Sequence, residues 1–67
     1  MSSGTVKWFN ENKHHGFITP DDGSADVYVQ ESAIRTVGYQ TLHEGQRVTY
    51  EAVMGPNGMQ ATDVYPA

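Results

Sequence analysis

Aromatic rings and cations are concentrated near the start of the sequence. Trp8 and Phe9 are adjacent and Phe17 follows shortly after, and two of the four Lys or Arg residues, Lys7 and Lys13, fall beside Trp8 and Phe9. An exposed ring can stack on the face of a nucleobase, and a lysine beside it can contact a phosphate. This combination of residue types predicts an open surface that suits a single nucleic acid strand.

Strand alternation predicts that several of these side chains share one face. Because successive residues of a strand point to opposite sides, taking Ile18 as a core residue fixes its neighbours. The residues expected inside are Gly16, Ile18, Val27 and Val29. If the turn Asp21–Gly23 joins the two segments as an antiparallel pair, one outer face carries His15, Phe17, Tyr28 and Gln30. We expect Trp8 to join this face from the preceding strand.

Turn signals divide the chain into strand-sized pieces. They occur at Pro20–Gly23, Gly38, Glu44–Gly45 and Gly55–Gly58. The pieces between them are rich in Val, Tyr, Thr and Phe, and none shows a sustained helical period. The predicted strands are Thr5–Lys13, His15–Thr19, Asp26–Gln30, Gln46–Met54 and Met59–Tyr65. In the stretch Glu31–Gly45 we expect a short helical turn around Ser32–Ile34, followed by a long loop.

Five short strands in 67 residues are too little material to cover both faces of an open sheet. We therefore predict an all-β protein, a five-stranded antiparallel Greek-key barrel of the OB type, with residues 1–67 forming a single domain. A domain of this size buries only about 60% of the surface that its unfolded chain exposes. Because there is no cysteine, it depends on packing and sheet hydrogen bonds rather than on disulfides.

Composition limits the classes of function. Eight carboxylates against four Lys or Arg leave a net charge of −4, which by itself argues against a polyanionic partner. Neither a secretory signal pattern nor an apolar run near the roughly 20 residues of a membrane span is present, so we expect a soluble, cytoplasmic protein with no membrane partner. The charge pattern is more informative than the net charge, because Lys7 and Lys13 lie beside the rings.

Catalytic and metal-binding interpretations have little support. There is no Cys, no Ser in a nucleophile motif and no carboxylate pair in an apolar context that would raise a pKa. Adjacent His14 and His15 would point to opposite faces of a strand and so could not readily chelate one ion. The acidic turn at Asp21–Asp26 lacks the ordered oxygen ligands of a calcium loop. We therefore expect no enzyme activity, no metal and no cofactor.

Three segments in order carry a family resemblance: Gly4–Asn10, Lys13–Ile18 and Asp26–Val29. Together with Gly45-Gln46 and Gln60-Ala61, they resemble a bacterial cold-shock protein over nearly the whole chain. The resemblance implies an OB-type barrel that binds single-stranded RNA or DNA through two ribonucleoprotein motifs on neighbouring strands. The binding residues that it implies are Lys7, Trp8, Phe9, Asn10, Lys13, Phe17, Asp26, Tyr28 and Tyr39.

The departures from the family pattern lie inside these motifs. Where the family normally has Lys-Gly-Phe-Gly-Phe, this chain has His14 and His15 in place of the Gly and the first Phe. Where the family usually has Val-His-Phe, this chain has Val29-Gln30-Glu31. Asn57 stands where a Lys or Arg is usual. His15 can still stack and Gln30 can hydrogen-bond a base, so both are added to the predicted site, whereas Glu31 should repel phosphate.

The expected partner is therefore single-stranded RNA or DNA, preferably pyrimidine-rich, bound with weakened or altered affinity. An RNA chaperone or a regulator of expression would fit this interpretation. The alternative is a cold-shock fold that has lost nucleic acid binding and mediates protein interaction or self-association. The chain could be a monomer or a dimer that exchanges strands through the loop Glu31–Gly45.

Overall fold

Five strands and one short helix make up the computed structural model, which describes residues 2–35, 41–56 and 58–67. The strands are β1 (Ser2–Asn10), β2 (His15–Pro20), β3 (Val27–Gln30), β4 (Arg47–Gly55) and β5 (Gly58–Pro66). A 3-10 helix, Glu31–Ala33, follows β3 directly. The five predicted strands are therefore confirmed, with ends that differ by a few residues.

The strands close into a barrel in the order β1-β2-β3-β5-β4, with β4 pairing back to β1. Neighbours run antiparallel except at β3 and β5, which are parallel where Tyr28 stands opposite Gln60. Five strands in a closed ring cannot all alternate in direction, so one parallel pair is unavoidable. The predicted all-β, five-stranded OB-type barrel is confirmed, and the structure identifies β3 and β5 as the parallel pair of strands.

The barrel interior is filled by small and medium apolar side chains. The buried hydrophobic residues are Val6, Ile18, Val27, Val29, Ala33, Ile34, Leu42, Val48, Tyr50, Ala61 and Val64. Within the described ranges no charged or polar residue is buried. The alternation predicted for β2 and β3 is confirmed, because Gly16, Ile18, Val27 and Val29 face inwards while the residues between them are partly or fully exposed.

Strand β1 ends at Asn10, three residues before the predicted end at Lys13. The side-chain oxygen of Asn10 accepts hydrogen bonds from the backbone N–H groups of Asn12 (2.9 Å) and Lys13 (3.1 Å), which turns the chain out of the strand. The N–H of His14 then donates to the Asn10 carbonyl oxygen at 2.8 Å. Lys13 therefore lies in a turn and not in a strand as predicted.

A bulge at Lys7 explains why Trp8 faces outwards. Val6 pairs with Ile18 and Trp8 pairs with Phe17, so the register shifts by one residue between Val6 and Trp8. Strict alternation would have placed Trp8 on the inner face with Val6, whereas the extra residue sends both Lys7 and Trp8 to the surface.

The segment after β3 begins with the short helix, and residues 36–40 of the predicted loop lie outside the described residues. The 3-10 helix confirms the predicted helical turn, and Ile34 makes an isolated parallel bridge with Val64 of β5. Farther on, Leu42 is buried in the core. Two residues discussed above, Tyr39 and Asn57, lie outside the described residues.

In the part of the chain that the structure describes, no helix is long and apolar enough to cross a membrane.

Candidate nucleic acid interface

Four rings contact one another on the outer face of β1, β2 and β3. The ring centroids of Trp8 and Phe17 are 5.4 Å apart, and those of Phe17 and Tyr28 are 5.6 Å apart, both in edge-on geometry. His15 lies 5.7 Å from Trp8 and 5.6 Å from Tyr28. We call these four residues the ring platform. Mutual contact holds the rings in place while each keeps part of its surface open to solvent.

Strand register brings the platform together. Trp8 is opposite Phe17 across β1 and β2, and Phe17 is opposite Tyr28 across β2 and β3. Two pairs farther along, on the same face, His15 is opposite Gln30. The platform therefore depends on the bulge that exposes Trp8 and on the close approach of β1 to β2.

Gly16 permits that close approach. A Cβ atom at this position would overlap the carbonyl oxygen of Trp8 and would lie 2.8 Å from Cα of Phe9. Only glycine can therefore stand between His15 and Phe17 at this spacing of the two strands.

The row of outer residues continues beyond the rings. Tyr28 is opposite Gln60 of β5, and Gln60 is opposite Val53 of β4, which is 53% exposed. A groove of about 530 Å³ lies here, with Phe17 and Tyr28 on one side. The remaining groove residues are Gln30, Pro56, Gly58, Met59 and Gln60. Sequence reasoning did not predict the part contributed by β5, because the parallel pairing that places it beside Tyr28 joins distant segments.

Lys7, the neighbour of Trp8 in β1, is paired with a carboxylate. Its Nζ lies 2.9 Å from Oδ2 of Asp26, and the Thr19 hydroxyl donates to the other carboxylate oxygen at 3.4 Å. Two of the predicted binding residues, Lys7 and Asp26, are therefore ion-pair partners. A phosphate that contacts Lys7 must share its ammonium group with Asp26 or displace it.

Most of the positive charge is paired in the same way. Arg35 pairs with Asp63 at 2.9 Å, and Arg47 pairs with Asp21 at 2.6 Å. Lys13 is the one Lys or Arg without a carboxylate partner among the described residues. The arrangement therefore offers few free cations to a polyanion.

The Arg47 pair changes the titration of its partner. Two guanidinium nitrogens of Arg47 donate to the two carboxylate oxygens of Asp21, at 2.7 and 2.6 Å. These hydrogen bonds hold the pKa of the Asp21 carboxyl below its ordinary value. The pKa of the nearby Tyr50 phenol is raised, first by burial and then by the charges of Asp22 and Asp21.

The two most divergent residues meet each other. Nδ1 of His14 lies 2.5 Å from Oε2 of Glu31, and the N–H of Glu31 donates to the His14 carbonyl oxygen at 2.9 Å. His14 has a φ of 61°, in the left-handed region that favours glycine. A glycine at this position in the family pattern is thus explained by the backbone, and this chain carries a histidine there at a conformational cost.

Some of the predicted site residues lie together on one surface, and others lie elsewhere in the structure. His15, Phe17, Tyr28, Gln30 and Trp8 share one surface, and Gln30 donates a long hydrogen bond of 3.4 Å to the Tyr28 hydroxyl. Asn10 uses its side chain in the turn before β2. Phe9 pairs with Gly16 and packs against the core, away from the platform.

Metal binding has no visible site within the described ranges, because no three His, Asp or Glu side chains come together there.

A closed five-stranded barrel with partly exposed rings on three adjacent strands places the protein in the class of small OB-type barrels. A sequence model of the 'Cold-shock' DNA-binding domain matches residues 2–67. The chain therefore belongs to the cold-shock domain family.

Several bacterial relatives are similar over nearly their whole length. Cold shock protein 2 of Lactiplantibacillus plantarum is 58% identical over 98% of this chain and 98% of its own. Cold shock-like protein CspE of Escherichia coli K12 is 59% identical over 91% of this chain and 88% of its own. Cold shock-like protein CspA of Shewanella violacea is 56% identical, with 94% and 90% coverage.

Proposed function

We propose that this protein binds single-stranded RNA or DNA on the ring platform, by base stacking, and catalyses no reaction. The contact of four partly exposed rings on one outer face carries the proposal. Rings with an accessible face stack successive bases, each worth about 1–3 kcal/mol. A flat surface of this kind suits unpaired bases and excludes the stacked bases of a duplex.

The groove beside the rings extends the proposed path of the strand. A base leaving Tyr28 reaches Gln30 and Gln60, whose amides can hydrogen-bond a base edge. Pyrimidine runs are the preferred ligands in this account, because weakly stacked bases are the easiest to spread over separate rings. Tyr39 and Phe9 stay in the proposal only as residues that the family resemblance implies.

Electrostatics should contribute less here than stacking. Lys13 is available to a phosphate, Lys7 must be shared with Asp26, and Glu31 adds negative charge at the end of the platform. The slope of log Kobs against log[salt] for a single strand is about −0.7 for each phosphate neutralised. We therefore expect a slope between about −0.7 and −1.4, and an affinity below that of relatives with more cations.

Weak, sequence-tolerant binding of this kind would suit an RNA chaperone or a regulator of expression in the cytoplasm. Such a protein must release its strand readily while still keeping it unpaired.

Titration of Trp8 fluorescence tests the proposal. Oligo-dT and oligo-U should quench the indole at low salt, because a stacked base changes its surroundings, and the matching duplex should have far less effect. Absence of quenching by either single strand, with the fold intact by circular dichroism, would exclude this function.

A second candidate function is binding to a protein or to another copy of the chain. It rests on exposed apolar side chains near the end of β4. Val53 and Met54 are 53% and 74% exposed, and the net charge is −4. Sedimentation across a range of concentrations tests self-association. An apolar contact would persist at high salt, whereas phosphate-dependent binding weakens.

A further inference from the structure

His14 and Glu31 continue the ladder between β2 and β3 beyond the platform. His15 is opposite Gln30, and the next two residues outwards, His14 and Glu31, are joined by the backbone hydrogen bond of 2.9 Å. Their side chains meet as well, with 2.5 Å between Nδ1 and Oε2. The imidazole is therefore fixed at the end of the surface on which a strand is proposed to lie.

Both side chains of this pair remain accessible to a ligand. The His14 side chain is 64% exposed and that of Glu31 is 42% exposed. The left-handed backbone of His14 carries a strain that a glycine would avoid. A strained, exposed residue that contacts an acid next to a binding surface indicates a role beyond packing.

The other ionisable groups nearby have different contacts. Glu11 accepts a hydrogen bond from the Thr41 hydroxyl at 3.2 Å, and Lys13 is the cation of the same turn. His15 contacts the rings, and its Nδ1 donates to the Lys13 carbonyl oxygen at 3.2 Å. Among the described residues, His14 is the histidine that contacts a carboxylate.

The charge of the pair depends on one proton. A histidine side chain exchanges its proton between about pH 8 and pH 5. When His14 is protonated, the pair carries no net charge; when it is neutral, Glu31 leaves one negative charge beside the path of the phosphates. A bound polyanion therefore favours the protonated form, and linkage requires that binding take up a proton.

We propose that His14, held in place by Glu31, couples the binding of single-stranded nucleic acid to proton uptake at the end of the ring platform. The inference rests on the proposed function and adds a regulatory input to it: affinity rises as the pH falls. Between about pH 7.5 and pH 5.5 we expect the dissociation constant to decrease about threefold to tenfold, the effect of one unit charge beside a phosphate at a surface.

The test measures the affinity for oligo-dT across this pH range at fixed ionic strength. Anisotropy of an oligonucleotide carrying a dye that does not titrate in this range reports binding, and circular dichroism checks the fold at each pH. His14→Asn should flatten the affinity–pH curve, because asparagine tolerates the left-handed backbone but holds no titrating proton. His43→Asn, a change outside the platform, should leave the curve unchanged.

Glu31→Gln provides the second variant and separates a titrating pair from a merely structural contact. Without the carboxylate, one negative charge beside the path of the phosphates is gone, so the affinity at about pH 7.5 should rise. A pH dependence equally steep in His14→Asn, or an affinity at about pH 7.5 that Glu31→Gln leaves unchanged, would overturn the inference. Binding that is flat with pH would overturn it too while leaving the proposed function intact; absence of binding at every pH would instead reject the proposed function.

Discussion

Lys7 Nζ lies 2.9 Å from Asp26 Oδ2, so a cation and an anion that the family resemblance assigns to the same binding surface neutralise each other. The pair joins the bulge of β1 to the residue that precedes β3. This relationship makes Asp26 a competitor of phosphate for the ammonium group of Lys7.

The first prediction concerns that competition. Asp26→Asn should release Lys7, tighten binding of oligo-dT by roughly 0.5–1 kcal/mol at low salt, and steepen the salt slope by about 0.7. Titrations at several salt concentrations measure both quantities. Asp63→Asn, which frees Arg35 from an ion pair of the same length outside the platform, is the matched control. Weaker binding by Asp26→Asn would instead indicate a direct contact between Asp26 and the strand.

Removing a ring should separate binding from stability. Phe17→Ala and Tyr28→Ala should each weaken oligonucleotide binding by about 1–3 kcal/mol, because each loses a stacking surface, while the free energy of unfolding changes little. The core change Val27→Ala should do the reverse and lower the free energy of unfolding by about 2 kcal/mol. Urea denaturation and fluorescence titration measure the two effects. If Phe17→Ala unfolds the domain, the ring serves packing rather than binding.

Gly16 should tolerate no side chain. Gly16→Ala places a methyl group against the Trp8 carbonyl oxygen, so β1 and β2 must move apart, and we expect a loss of at least about 1–3 kcal/mol in the free energy of unfolding. The neighbouring change His15→Ala, on the outer face, should cost less than about 1 kcal/mol. Urea denaturation compares the two variants, and equal stabilities would show that the strands are not held at this spacing.

The ion pair between Asp21 and Arg47 predicts a pH-dependent stability. Hydrogen bonds from Arg47 lower the pKa of the Asp21 carboxyl in the folded state. The ionised carboxylate therefore stabilises the fold fully at pH values above the pKa that Asp21 has in the unfolded chain. This contribution is lost as the pH falls through the lowered pKa. Asp21→Asn should therefore reduce stability at neutral pH, and the difference from wild type should shrink in acid. Urea denaturation at several pH values tests this; a difference that stays constant in acid would rule out the pair as its source.

Much of the fold follows from local patterns. The alternation around Ile18 and between Val27 and Val29 correctly predicts which sides of β2 and β3 face the core. The turn residues delimit the strands, because glycine and short polar side chains at Pro20–Gly23 and Gly55–Gly58 favour chain reversal. These features depend on a few neighbouring residues, so the sequence predicts them well.

Other features of the site depend on contacts between distant residues. The bulge at Lys7 cannot be recognised from alternation. The end of β1 is set by hydrogen bonds to the side chain of Asn10, a residue that the sequence pattern places inside the first predicted strand. The pairing of Tyr28 with Gln60 closes the barrel between distant segments. His14 and Glu31 could be identified as departures from the family pattern, but only the structure shows that they meet.

The central claim is that single-stranded nucleic acid binds on the ring platform. Mapping the bound strand by NMR tests this claim most directly. In titrations of ¹⁵N-labelled protein with oligo-dT, the largest shift changes should occur at the Trp8 indole N–H and at the amides of Phe17 and Tyr28. Thr49 and Tyr65, which pair with each other on β4 and β5, lie outside the platform and should change little. Changes concentrated at Thr49 and Tyr65, with Trp8 and Phe17 unaffected, would contradict the account.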